Sequence, residues 1–269
     1  MRPIRERSPG LYQNIISDKI VTMEVHAHTH TPRKKWTHYL WEFLMLFLAV
    51  FCGFFAEYKL EQTIERHREK DYMESMVRDL QNDITGIDTI IKEKKIRIGF
   101  ADSLLALFEK KDFKNTSGSM YNIGGLINFR TYFNPNDGTV QQLKNAGGLR
   151  LIKKRDVVDS IQQYTNHVRD LQRLQDLEES QLIEYRSEMS KIFSASVFNN
   201  MFASKTTMLI KQLDTNPLLN SEDSKNINDL SMKIVVTKGN WLSQIEDLNQ
   251  LQQSATTLID IIKKEYELK

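Results

Sequence analysis

Residues 41–58 read WEFLMLFLAVFCGFFAEY. Whether this run crosses a membrane or fills a soluble core decides how the rest of the chain is read. From Phe43 to Ala56 no residue is charged. As a helix those residues rise roughly 21 Å, short of a hydrocarbon core near 30 Å. The flanks lengthen the run: Trp36, Tyr39 and Trp41 stand at its entry and Tyr58 at its exit. Such rings favour the headgroup level. Counted from Tyr39 to Leu60 the segment is long enough to span, with Glu42 and Glu57 near its two ends.

Three other readings fit less well. A cleaved signal peptide needs small residues before the cut, and Phe54 is too bulky for a cut after Ala56. A lipoprotein signal needs a small residue before its cysteine, and Phe51 precedes Cys52. A buried soluble helix needs apolar partners all round it, and the remaining helices are amphipathic. One transmembrane helix over 36–60 is therefore expected. Arg33, Lys34 and Lys35 lie directly before it, whereas Lys59 alone follows closely. Arg66, Arg68 and Lys70 even the count over a wider window, and the nearest block favours an N-terminus in the cytoplasm with the larger C-terminal part across the membrane. The expected location is a bacterial cytoplasmic (inner) membrane with a periplasmic C-terminal domain.

The chain has 269 residues and a net charge of +2, with acids and bases almost balanced, so nucleic acid is not an expected partner. Leu, Ile, Gln, Glu and Lys dominate, and clean alternation is missing. An all-α fold follows. The one cysteine excludes an intrachain disulfide and a cysteine-built metal site within one chain.

Residues 1–35 read as a disordered basic tail. His26, His28 and His30 alternate, and in an extended chain they share a face that could hold Zn or Cu. No fourth ligand follows at a defined spacing, and a solvated polar tail is the plainer reading. Met23 opens the more patterned part and is a candidate translation start.

Residues 61–269 are expected to form a helical domain. Met73, Val77, Leu80, Ile84, Ile87, Ile91, Ile98, Ala101, Leu105 and Phe108 alternate spacings of three and four, with Lys94 as the one interruption. That is a coiled-coil-like seam. A second helix is expected from an N-cap at Asp156, with a stripe from Val157 to Ile192. A short helix over 205–213 and a last helix carrying Ile227 to Tyr266 follow, with Ser221 as candidate cap and Gly239 as a kink point. Such seams pack on each other as a bundle or on a partner, either another helical protein or a second copy.

Residues 115–155 form the irregular segment. Pro135 and Gly138 mark a turn, Thr139 is placed to cap a short helix, and Gly147 and Gly148 end it in a left-handed cap. Arg130, Tyr132, Lys144 and Arg150 would make a basic, aromatic-edged pocket for an anion or a partner group, with Lys153, Lys154 and Arg155 nearby. A connecting turn folded over the bundle, with those bases solvated, is the competing reading.

The order of tail, apolar helix, charged helix and GTVQQLKNAGGLRLIKKRDVVDSIQQY resembles the uncharacterised single-pass membrane proteins common in Bacteroidetes. The resemblance rests on Thr139, Leu143, Lys144, Gly147 or Gly148, Leu149, Leu151, Ile152 and Tyr164. It implies a membrane location and no known activity. No phosphate loop, nucleophile elbow or His-Glu-x-x-His is present. His67 and His167 fall on charged helix surfaces, and Glu178 and Glu179 are expected on helix exteriors. No catalysis and no cofactor are expected.

Overall fold

The computed structural model describes residues 35–145, 147–201 and 211–268. These are all-helical, with no strand among them. The helices are α1 (Trp36–Lys110), α2 (Phe113–Ile127), α3 (Gly138–Asn145), α4 (Arg155–Ile192), α5 (Ala195–Met201) and α6 (Ser224–Tyr266), with a 3-10 turn at Gly148–Arg150. The chain divides into two compact units, one ending at Glu57 and the other spanning Tyr58–Lys269. The span expected over 36–60 forms the first part of α1, which continues past the boundary to Lys110 without a break.

In the first unit, α1 is apolar and long enough to cross a membrane, and none of that window is buried. Phe43, Phe47, Phe51 and Phe55 repeat every fourth residue, so their rings stack along one side, 6.1–6.5 Å between centroids.

The second unit is a bundle of α1, α4 and α6. Contacts from α1 rise together with those of α4, Glu69 with Lys153 just before α4, Asp83 with Tyr164 and Lys94 with Glu178, so these helices run parallel. Contacts to α6 run the other way, Glu69 with Tyr266, Asp88 with Gln252 and Asp102 with Lys238. A parallel neighbour requires the chain to travel back along the bundle before α4 begins. Residues 111–154 make that crossover.

Two apolar cores fill the bundle. One joins Met73 to Ile91 with Val157 to Leu171 and Leu248 to Ile262. The other joins Ala101 to Phe108 with Tyr121, Leu182 to Phe193 and Leu230 to Trp241. Between them α1 buries Lys94 and Arg97. The residue that interrupts the apolar seam thus keeps its spacing and faces inward; it does not break the helix.

Several boundaries differ from expectation. The helix expected to begin with a cap at Asp156 starts at Arg155, with Asp156 in its first turn. Asp223, not Ser221, caps α6, accepting from the Lys225 and Asn226 amides at 3.0 and 3.1 Å. Gly239 lies inside an unbroken helix. Of the helix expected over 205–213, residues 205–210 lie outside the described set and 211–213 are not helical. The segment expected to be irregular from 115 instead begins with α2. Glycine, a poor helix former, serves packing there. A Cβ at Gly118 would collide with the Thr215 carbonyl oxygen, because the irregular stretch before α6 crosses α2 at that point. Gly118 donates its amide to Asn216 Oδ1 in the same crossing.

Gly118→Ala should therefore cost about 2 kcal/mol or more, because the opposing atom is backbone and cannot step aside. Gly86→Ala, where a Cβ meets nothing within 4 Å, should instead stabilise by roughly 0.5–1 kcal/mol through helix propensity. Urea unfolding followed by circular dichroism separates the two; equal midpoints would contradict the crossing.

Candidate functional site

Two polar constructions stand out in the bundle: a buried charge cluster between the cores, and the fastening of the crossover to α1 and α4. The cluster is built on Glu178, whose side chain has no exposed surface. It accepts from Lys94 Nζ at 2.9 Å, Trp241 Nε1 at 2.9 Å, Gln244 Nε2 at 2.8 Å and Arg97 Nη1 at 3.4 Å. The expectation of an exterior Glu178 is thus wrong. On α4 it falls in the buried stripe with Leu171, Gln175, Leu182 and Tyr185, where an apolar residue would be assumed. The cluster holds two cations and one carboxylate. Burial pushes the Lys94 ammonium below the ordinary lysine value against the pull of Glu178, and it lowers Arg97 in the same way. Arg97 also reaches the crossover through Thr131 Oγ1 at 2.7 Å.

The crossover is held mainly by side chains that receive its backbone amides. Asp83 accepts the Asn136 amide at 2.7 Å, its Nδ2 at 2.9 Å and the Tyr164 hydroxyl at 2.5 Å. Asp79, one turn earlier on α1, accepts the Thr139 amide at 3.2 Å and its hydroxyl at 2.6 Å. Asp79 thereby supplies from another helix a carboxylate at the N-terminus of α3. The Thr139 hydroxyl expected to cap α3 is spent on Asp79. Gln175 pairs with both sides of one extended residue, accepting from Phe133 N at 2.7 Å and donating to Phe133 O at 3.4 Å. Glu69 accepts the Lys153 amide at 3.0 Å and the Tyr266 hydroxyl at 2.6 Å. Gly147 takes the left-handed conformation expected of it, with φ +66°. Burial, and then the bond to Asp83, push the Tyr164 hydroxyl far above its ordinary range, so it remains a donor.

The four residues expected to take an anion are distributed as follows. Arg130 and Tyr132 come together, the guanidinium 4.7 Å above the ring. Both are engaged by Glu179, which pairs with Arg130 and accepts from the Tyr132 hydroxyl at 3.3 Å. Their anion is thus supplied by the chain itself. Lys144 is exposed in the last turn of α3 and lines a small cavity with Asp79 and Asp83. Arg150 is exposed in the 3-10 turn. Neither is hydrogen-bonded to Arg130 or Tyr132 among the described residues. His26, His28 and His30, with Met23, lie outside the described residues. His67 bonds the Thr63 carbonyl, and His167 bonds Ser254 Oγ, both at 2.8 Å.

No protein-family model, no curated protein and no solved structure matches this chain. The geometry must therefore be weighed alone. A carboxylate held by four donors is a structural anchor: it leaves no lone pair facing a cavity for proton transfer. The signal for it in the sequence was the register of Lys94, an i+3 step from Ile91 inside the seam, which demanded a buried acceptor on a neighbouring helix.

Glu178→Gln should destabilise by about 3 kcal/mol or more, because it strands two buried cations. Lys94→Met should change stability by less than about 1 kcal/mol, since it leaves Arg97 to balance Glu178. Chemical unfolding of both variants is the check, and the reverse order would refute the charge count. Asp83→Asn should speed amide hydrogen exchange across 131–145 at least tenfold and leave α2 unchanged; unaltered exchange there would show that Asp83 does not hold the crossover.

Proposed function

We propose that this chain is a membrane-anchored helical interaction or scaffold protein of the bacterial cell envelope, without catalytic activity. The carrying observation is the contrast between the units. The second unit closes its own cores, whereas the apolar stretch of the first is exposed throughout. An uncovered surface of that size in water would drive aggregation, and lipid relieves it. Aromatic residues at both ends of the run, and the basic block at 33–35, support insertion with the N-terminus in the cytoplasm and the bundle in the periplasm. The resemblance to single-pass Bacteroidetes proteins agrees with this placement in the inner membrane.

The role of the bundle is to present surface. On α6, Met232, Val235, Val236 and Leu242 are each about half exposed and share the side away from the buried stripe. Such a face suits a helical partner or a second copy. A second reading, a ligand-sensing bundle working with a separate output partner, is favoured by a cavity of about 610 Å³ beside α5.

Expressed in a bacterial host, the chain should stay with membranes through an alkaline carbonate wash. Alkaline phosphatase fused after residue 269 should be active. Release by carbonate would overturn the anchor, and an inactive fusion on a membrane-bound chain would invert the orientation.

A further inference from the structure

The cavity beside α5 is walled by the end of α2, the last turns of α4 and α5 itself. Its apolar surface comes chiefly from Phe129, Met189, Phe193 and Phe198. The last two belong to a cluster with Tyr121 in which all three rings meet edge to face, at 4.9–5.8 Å. This fixes the shape of the wall. The volume, about 610 Å³, falls in the range that accepts a small organic molecule, roughly 300–1,000 Å³.

The polar groups of the cavity are uneven in charge. Arg186 is the one charged residue in the described lining, and no carboxylate accompanies it. Arg186 does touch Glu179, by Nη2 at 3.2 Å. Glu179 is at the same time paired with Arg130. Two guanidinium groups thus share one carboxylate, and a unit of positive charge is left at the cavity. Asn128 stands in the wall, and its buried Oδ1 has no hydrogen-bond partner among the described residues. Asn199 and Asn220 add amides to the rim.

We infer that this cavity binds an amphiphilic monocarboxylate: an acyl chain or comparable apolar body laid against the phenylalanines, with its carboxylate on Arg186. The free edges of a planar guanidinium match a carboxylate in geometry as well as charge. A neutral alcohol of the same length fills the apolar part and forgoes the ion pair. The site lies wholly in the second unit and does not require that α1 cross a bilayer. It gives the ligand-sensing reading a ligand class.

The test is photolabelling of the full chain in phosphatidylcholine nanodiscs, or in buffer should the chain prove soluble. The probe is dodecanoic acid with a mid-chain diazirine, and labelled peptides are mapped by mass spectrometry. Label is expected within 125–129 and 186–199. Unlabelled dodecanoate should displace it at about one-tenth the concentration required of 1-dodecanol. Arg186→Gln, a change at the bundle surface, should erase that difference while the melting temperature holds. Ala195→Trp, at an exposed lining position, should abolish the label. Label confined to 36–60, equal competition by acid and alcohol, or an unchanged acid preference in Arg186→Gln would each overturn the inference.

Discussion

Glu178 faces four donors from two helices, Lys94 and Arg97 on α1 and Trp241 and Gln244 on α6. Apolar seams are permissive: Ile, Leu and Val can slide by a turn and find similar neighbours. A charged acceptor with directed donors cannot, because a slip of one turn strands at least one buried charge. The polar layer therefore sets the register of α1, α4 and α6, while the two cores on either side supply the burial. The same logic gives the layer little net worth as stabilisation. Burial holds the Lys94 ammonium below the ordinary lysine value against the pull of Glu178, the pattern expected where desolvation offsets the gain of an ion pair.

With register set, the crossover becomes the next constraint. Parallel α1 and α4 leave a stretch of irregular backbone lying along the bundle, and its amides need acceptors. They find them in Glu69, Asp79, Asp83 and Gln175. Three of these are acidic residues on α1 that would otherwise read as solvated positions. The acidity of that face is a means of holding backbone, and Glu179 on α4 does a similar service for the Arg130 and Tyr132 side chains.

The long helices were legible because period and propensity agreed along them, and the seam from Met73 to Phe108 lies inward or half inward as spaced. Glu178 reads as a surface carboxylate on its charge, although its spacing from Leu171, Gln175, Leu182 and Tyr185 sets it in the buried stripe and apart from its half-exposed neighbour Glu179. The helix α2 was hidden by its glycines: Gly118 admits a segment nearly a hundred residues later, and Gly124 packs against the Phe193 ring. Such a need is nonlocal, and no local propensity records it. Of the four residues grouped as an anion site, Arg130 and Tyr132 are joined, whereas Lys144 and Arg150 were grouped by composition alone. Arg186, which faces the cavity, sits among ordinary helix residues and gave no sign.

The bond between Tyr266 and Glu69 joins residues 197 apart. The last turn of α6 thus closes against α1 at the edge of the first core. The crossover and α4 can cover part of the inward face of α1 first, but the side that meets α6 stays uncovered until α6 is made. Loop closure over such distances is slow, and it comes before the contacts that repay it. A core built this way stays open to aggregation or proteolysis until α6 is in place, and a truncation that removes the last turns of α6 costs it a wall.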